Sequence, residues 1–358
     1  MNWFEKGLVS DAAIRVGIRR LLRQRKEEIH ADDAQAAAVA TDVFIDSMNR
    51  AKNLAPIALL QAKANEQNYE VPADFYVIAL GRHLKYSSCY WDESTPNLDS
   101  AEAAALTATC QYAQLDNGQD ILELGCGWGS LTLWMAAAYR GSKITAVSNT
   151  VSQREYILSE VARNNLVNVT VITADMNSFD IDSRFDRVVS VEMFECMRNW
   201  RLLFEKVSGW LKPEGKFFMH VFVHRSVPYL LEERGDSDWM RRHFFSSGMM
   251  PSDDLAARFQ EHLRLSQRWR WDGTHYAKTA EAWLANVDAR RDDALEVLGR
   301  FYGSPLAAQW LQRWRIFFMA CAELFACDGG QQWWVSHYLF ERAARPGDPQ
   351  SFTFQLPV

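Results

Sequence analysis

Between residues 115 and 223, short apolar runs rich in β-branched residues alternate with segments of helical periodicity. Alternation at this spacing predicts a parallel sheet covered by helices on both faces, and such sheets bind ligands at the carboxyl ends of their strands. The predicted strands read DILEL, KITAVS, VTVIT, FDRVVSV and GKFFMHVFV, and the helical segments read LTLWMAAAY, SQREYILSEVARNN and WRLLFEKVSGWL.

A glycine-rich loop, ELGCGWGS at residues 123–130, follows the first predicted strand and opens a helix. Gly125, Gly127 and Gly129 allow a tight turn and a close approach of the backbone to a ligand. The spacing is GxGxG, whereas dinucleotide sites carry GxGxxG and an acid about 20 residues further on. That position reads VSN here, so we discount a dinucleotide.

S-adenosylmethionine fits the polar residues at the next strand ends better. Asn149 and Gln153 follow the second strand and can hydrogen-bond a ribose. Asp175 follows the third strand and can accept from an adenine amino group, while Met176 can pack on the adenine face. The order of these residues along the chain predicts a class I methyltransferase fold, with a Rossmann-like doubly wound sheet.

Composition excludes several other classes of protein. The net charge is −6 without a long basic block, which argues against nucleic acid as a partner. None of the six cysteines forms a CxxC pair, so we expect neither a metal site nor disulfides. No apolar run approaches the ~18 residues that a membrane span needs. We expect a cytoplasmic protein, and the sequence leaves a homo-oligomer open.

Three regions are predicted along the chain. Residues 1–70 form N-terminal helices, and residues 71–342 form the catalytic domain. That domain carries an inserted helical lid at 225–262 and two helices at 278–299 and 305–325, within 278–327. Strands are expected at LRLSQRWRWDG and WWVSHYLFE, and residues 343–358 form a tail.

The first predicted helix has one strongly basic face, which includes Arg15, Arg19 and Lys26. The favoured interpretation is a solvated face of a helix packed on the main domain. The alternative is a helix that rests on an anionic membrane surface, although Glu27 and Glu28 interrupt the basic charge.

Tryptophan is abundant, with 14 residues, ten of which lie at or after Trp200. Burial explains most tryptophans. A concentration in one half of the chain also suits a cavity walled by aromatic faces, which attract cations.

The chain resembles the cyclopropane-fatty-acid-synthase-like methyltransferases, and within them the amine N-methyltransferase branch that includes coclaurine N-methyltransferase. The resemblance covers residues 60–342. It is carried by YSSCYW, ILELGCGWGSLTLWMA, AVSNTVSQREYI, FDRVVSVEMFE, LKPEGKFFMHVF, HFFSSGMMPS, GTHYAKTAEAWL and ACAELF. The cofactor contacts that it implies are Tyr86, Ser87, Gly125, Asn149, Gln153, Asp175, Met176 and Val191.

The resemblance also implies an amine pocket. Glu192 and Glu195 match two family glutamates, Glu70 matches a third, and His220 matches a histidine on the fifth strand. Cys196 stands where the amine branch has a further histidine. A thiol is a poor base at neutral pH, so the proton would go to Glu195, His220 or water.

Carboxylates suit an N-methyltransferase because an amine must lose its proton before it accepts a methyl group. Glu195 is expected to orient the amine or accept that proton. Glu192 is expected to bind the cation or brace the loop. The alternative interpretation is that Glu192 only caps the following helix.

Two other functions stay open. One is methylene or methyl transfer to unsaturated acyl chains of phospholipids. The related synthases hold bicarbonate with a cysteine, a glutamate, a histidine and a tyrosine. Glu195 and His220 match the glutamate and the histidine, but Ser88 and Phe317 stand at the cysteine and tyrosine positions, which disfavours this function. The other is a cofactor-binding sensor without catalysis. Cys321, which matches a cysteine of the synthases, is interpreted as a buried core thiol.

Overall fold

A computed structural model describes residues 3–50, 56–58, 71–231, 239–244 and 248–343. The predictions for Glu70 and for the tail from residue 344 onwards therefore lie outside the described residues. Among the described helices, none combines the length and apolarity that crossing a membrane requires.

A seven-stranded sheet forms the centre of the molecule, in the order β3-β2-β1-β4-β5-β9-β8. Its first five strands along the chain run parallel, and β9 and β8 extend it antiparallel. A separate ribbon pairs β6 with β7. The strands are β1 Asp120–Leu124, β2 Lys143–Ser148, β3 Val169–Thr173, β4 Phe185–Val191, β5 Leu211–His224, β6 Tyr229–Leu230, β7 Met249–Met250, β8 Leu263–Trp271 and β9 Trp333–Arg342.

Helices flank this sheet and extend the fold at the N-terminal end. The described α-helices are α1 Asp11–Glu28, α2 Ala34–Arg50, α3 Ala73–Ala79, α4 Leu98–Tyr112, α5 Ser130–Ala138, α6 Val151–Arg163, α7 Trp200–Trp210, α8 Trp239–His243, α9 Gly273–Ala289, α10 Arg291–Tyr302 and α11 Ser304–Ala326.

The sheet register places the two sequence motifs side by side. Leu124, at the end of β1, pairs with Val147 on β2 and with Ser190 on β4. Val191 pairs with His220 on β5. Because neighbouring parallel strands end at one edge of the sheet, the glycine loop after β1 and the acidic stretch after β4 leave that edge together.

The helix predicted over 278–299 is wrong as a single element. Arg290 has non-helical dihedral angles (φ −115°, ψ 38°) and separates α9 from α10. Asp292 and Asp293 lie in the first turn of α10, where negative charge favours a helix N-terminus.

The segment predicted as a helical lid contains less helix than expected. Its described part holds β6, β7, the five-residue helix α8 and a 3₁₀ helix at Leu255–Arg258. Several of its residues line the central cavity, so it covers the site, and its role as a lid stays a prediction.

The basic face of α1 is not simply solvated. Arg15 pairs with Glu281 on α9 (2.6 Å), and Arg19 pairs with Glu323 on α11 (2.6 Å). These ion pairs attach α1 across the helices of the catalytic domain, and Ile14 and Ile18 of α1 line the cavity beneath. The predicted boundary at residue 70 stays a prediction.

Candidate active site

A cavity of about 1110 Å³ lies at the carboxyl edge of the sheet. Ligand pockets usually measure about 300–1,000 Å³, so this cavity has room for a cofactor together with a second small molecule. Both sequence motifs contribute to its wall. The cofactor residues expected from the sequence that line it are Tyr86, Ser87, Gly125, Gly127, Asn149, Gln153, Met176 and Val191.

The glycine loop adopts the conformation that its sequence predicts. Gly125, Gly127 and Gly129 all have positive φ, at 76°, 52° and 81°. A Cβ at Gly129 would lie 2.6 Å from Ile157, whereas a Cβ at Gly127 would meet no atom within 4 Å. Gly127 therefore leaves open space on the cavity side, into which a ligand can pack closely.

Buried polar atoms at this end of the cavity have no partner among the described residues. They are Nε2 of Gln153, Nε1 of Trp128 and Oγ of Ser130. The Gln153 side chain is held in place because Ser148 Oγ donates to its Oε1 (2.7 Å). Unpaired buried donors are costly, so their presence fits a polar ligand such as S-adenosylmethionine.

Gly127→Ala is expected to weaken binding of S-adenosylhomocysteine about tenfold, because a Cβ there overpacks the ligand site. The left-handed backbone should also lower the free energy of unfolding by about 1–2 kcal/mol. Gly118→Ala is the matched control, since Gly118 has φ 93°, open space around its Cβ and no place in the cavity wall. Calorimetric titration and thermal unfolding of both variants measure the two effects, and equal affinities would contradict this role of Gly127.

Asp175 lies apart from the other predicted cofactor residues. Its side chain is exposed, its Oδ1 accepts the Asn177 backbone N–H (2.7 Å), and it does not line the cavity. The neighbouring Met176 is buried and does line it. The adenine contact of Asp175 stays a prediction.

The acidic stretch folds into a tight turn that directs its central phenylalanine into the core and its two glutamates to the cavity wall. Glu192 has φ 47°, and a 3₁₀ turn over Phe194–Cys196 follows. The indole of Trp200 donates to the carbonyls of Phe194 (2.9 Å) and Met197 (3.1 Å), which fixes this turn. Phe194 is fully buried in the core, whereas Glu192 and Glu195 line the cavity.

The carboxylate of Glu192 is held from three sides. Its Oε1 accepts the backbone N–H of Ser88 (2.9 Å) and lies 3.1 Å from Nε2 of His220, and its Oε2 accepts the hydroxyl of Tyr276 (2.7 Å). Burial raises the pKa of Glu192, while the charge of Lys85 and these hydrogen bonds oppose the rise. Glu192 is therefore the more acidic member of the pair.

Only one carboxyl oxygen of Glu195 accepts a hydrogen bond from the described residues. Its Oε1 accepts the backbone N–H of Phe222 (2.8 Å), whereas its buried Oε2 has no hydrogen-bond partner among the described residues. Burial and the nearby charge of Glu192 raise the pKa of Glu195 well above its ordinary value. Oε2 is therefore an unpaired, buried carboxyl oxygen on a residue that lines the cavity.

His220 supports Glu192 and does not reach the cavity wall. Burial lowers the pKa of His220 well below its ordinary value, so the ring is neutral. A neutral ring donates from Nε2 to the carboxylate of Glu192, which leaves this nitrogen unsuited to accept a substrate proton. Cys196 is half-buried and lines the cavity beside Glu195.

The sequence reasoning missed Lys85 and Tyr276. Phe317, which matches the tyrosine position of the synthases, does line the cavity, but the tyrosine hydroxyl at the acids comes from Tyr276 in GTHYAKT. Its ring stacks on Phe325 (4.2 Å between centroids), which holds the hydroxyl in place. Cys321 also lines the cavity, and burial raises the pKa of its thiol.

The tryptophans serve the core more than the cavity. Only Trp128, Trp239 and Trp283 line the cavity among the described residues. The fully buried ones are Trp200, Trp210, Trp283, Trp314 and Trp333. The aromatic wall that their number suggested exists, but tyrosine and phenylalanine form most of it.

Comparison with known proteins places this site in a family. The family model described as mycolic acid cyclopropane synthetase matches residues 59–333. The chain belongs to this family. Among its relatives, (S)-coclaurine N-methyltransferase of Thalictrum flavum subsp. glaucum is 36% identical over 78% of each chain. Pavine N-methyltransferase of the same plant is 32% identical over 94% of this chain and 95% of the relative.

Solved structures agree with this family membership. The crystal structure of coclaurine N-methyltransferase bound to N-methylheliamine and SAH has a TM-score of 0.90 at 34% identity, covering 95% of this chain and 97% of that one. Mycolic acid cyclopropane synthase CmaA1, at 20% identity and a TM-score of 0.66, shares the fold. The predictions of a class I methyltransferase fold, a methyltransferase activity and S-adenosylmethionine as cofactor are confirmed.

Proposed function

We propose that this family member transfers a methyl group from S-adenosylmethionine to the nitrogen of a small, partly aromatic amine. The observation that carries the proposal is the buried, unpaired Oε2 of Glu195, a residue that lines a largely apolar cavity. The named activities of the N-methyltransferase relatives support the same reaction.

Glu192 and Glu195 are suited to the positive charge that an amine substrate carries. Bound S-adenosylmethionine supplies a methyl group on a sulfonium, which a lone pair can take in a direct displacement. An aliphatic amine is mostly protonated at neutral pH, since the model side chain, lysine, has a pKa near 10.4. Glu195 can accept that proton through Oε2 and leave the nitrogen lone pair free.

The two glutamates are expected to have different roles, because their hydrogen-bond partners differ. Hydrogen bonds from Ser88, His220 and Tyr276 favour the charged form of Glu192, which is expected to stabilise positive charge in the cavity without moving a proton. Glu195 has the higher pKa and takes the proton. The aromatic faces that complete this wall, and that favour a cation, are Tyr86, Phe222, Tyr276, Trp283, Phe317 and Phe325.

The rate of methylation at saturating amine is expected to fall as the pH is lowered, at pH values well above those at which an ordinary glutamate takes up a proton. Below its raised pKa, the Glu195 carboxyl already holds a proton and cannot accept another. An ordinary glutamate would place this loss near its unperturbed pKa of about 4.3. A pH profile of kcat measures it. A profile that stays flat down to that value would contradict proton acceptance by Glu195.

A labelling assay tests the proposed reaction. The protein is incubated with methyl-labelled S-adenosylmethionine and benzylamine, phenethylamine, tetrahydroisoquinoline or N-methyltetrahydroisoquinoline. A parallel reaction contains vesicles of an unsaturated phospholipid with bicarbonate. Label on an amine nitrogen is the expected result, whereas label in lipid alone would replace this proposal with acyl-chain modification.

A further inference from the structure

Lys85 is a buried lysine without an ionic partner among the described residues. Its side chain lies in the cavity wall, and the residue is only 3% exposed. Nζ donates to Ser87 Oγ (2.5 Å) and to the carbonyl of Ser88 (2.7 Å), which are both neutral oxygens. No carboxylate oxygen of the described residues lies within 4.0 Å of Nζ.

This arrangement is unusual, because buried charges are normally paired and an unpaired one is strongly disfavoured. An ammonium group has three N–H donors, and Lys85 uses two of them. The third donor is left for a group that is not part of the described chain.

The nearest acids are already engaged elsewhere. Glu192 accepts the backbone N–H of Ser88, and the carbonyl of Ser88 accepts from Lys85. The side chains of Glu192 and Lys85 therefore bind the same residue and do not form an ion pair with each other. Glu102 accepts the backbone N–H groups of Gly81 (2.9 Å), His83 (2.7 Å) and Lys85 (3.2 Å). These bonds fix the main chain from which the Lys85 side chain projects.

Lys85 lies at the cofactor end of the cavity. It precedes Tyr86 and Ser87, which line that end together with Gly125 and Gly127. Glu123 also lies there, but burial raises its pKa to about 8, so it keeps its proton at neutral pH and offers no counter-charge. S-adenosylmethionine carries a single anionic group, the carboxylate of its methionine part.

We propose that the ammonium group of Lys85 binds the carboxylate of the methionine part of S-adenosylmethionine. A charge-assisted hydrogen bond in a buried site is strong and directional, so this contact would orient the amino-acid end of the cofactor. Burial lowers the pKa of Lys85 in the free protein, and a bound carboxylate reverses that shift. The contact concerns the cofactor alone and does not depend on the identity of the methyl acceptor.

The test compares two ligands that differ only in the carboxylate. Dissociation constants are measured by calorimetry for S-adenosylhomocysteine and for its decarboxylated analogue, which keeps the amine, thioether, ribose and adenine. The wild-type protein is expected to prefer S-adenosylhomocysteine at least about tenfold, the size typical of a charged hydrogen bond. Lys85→Met is expected to abolish this preference, and to change affinity for the analogue less than about twofold.

Lys143→Met is the matched control, because Lys143 is exposed at the start of β2 and lies outside the cavity. Lys85→Arg keeps the charge and is expected to retain part of the preference. If Lys85→Met does not fold, Lys85→Gln, which keeps a donor for Ser87, takes its place. A tenfold preference that survives in the neutral variant, or an equal loss of affinity for both ligands, would overturn the proposal.

Discussion

Glu195→Gln is expected to lower kcat for amine methylation by about 10²–10⁴-fold, the range that general bases usually contribute. The amide keeps the shape of the side chain and can still accept the backbone N–H of Phe222. It cannot take a proton from an ammonium group. Because Glu195 lies at the acceptor end of the cavity, the dissociation constant for S-adenosylhomocysteine should stay within about twofold of the wild-type value.

Glu205→Gln supplies the control for this experiment. Glu205 is an exposed glutamate on α7 outside the cavity wall, and its substitution is the same chemical change at a site away from the cavity. Its kcat should equal that of the wild type. Steady-state kinetics at saturating amine, with calorimetry for the cofactor product, separate the two parameters. A Glu195→Gln protein with normal turnover would remove this residue from the mechanism.

Glu192→Ala is expected to have the second large effect, and to act on folding as well as on catalysis. The change leaves the Ser88 N–H, the Tyr276 hydroxyl and Nε2 of His220 without their buried acceptor. Each unsatisfied buried group costs about 1–3 kcal/mol. We therefore expect a fall of several kcal/mol in the free energy of unfolding, together with a loss of turnover.

Tyr276→Phe separates these two roles, because it removes one hydrogen bond to Glu192 and keeps the stacking on Phe325. Its free energy of unfolding should fall by only about 1 kcal/mol. Urea unfolding of both variants, followed by circular dichroism, measures the difference. If the Glu192→Ala protein were as stable as the wild type, Glu192 would not brace this part of the site.

The positions of the two motifs could be predicted from the sequence because they depend on the sheet alone. A glycine loop after β1 and an acidic turn after β4 must meet once those strands are neighbours. The placement of both acids in the cavity wall also has a local cause. Phe194 between them is apolar and goes to the core, which leaves Glu192 and Glu195 on the other side of a short turn.

Other features depend on contacts that are distant in sequence. Tyr276 reaches Glu192 from α9, 84 residues away, and nothing in its local sequence indicates this. His220 lies 3.1 Å from Glu192 because its direction is set by packing between neighbouring strands, which the sequence does not show, and its role in catalysis stays a prediction. The break at Arg290 did have a local signal, the acidic pair Asp292 and Asp293, which the periodicity of the apolar residues obscured.

The central claim is that Glu195, a buried acid beside the cofactor site, recognises the substrate nitrogen by accepting its proton. Binding of tetrahydroisoquinoline and of its carbon counterpart tetrahydronaphthalene, both in the presence of S-adenosylhomocysteine, tests this most directly. The amine should bind at least about tenfold more tightly to the wild type, and Glu195→Gln should remove most of that difference. Equal binding of the two compounds to the wild-type protein would contradict the claim.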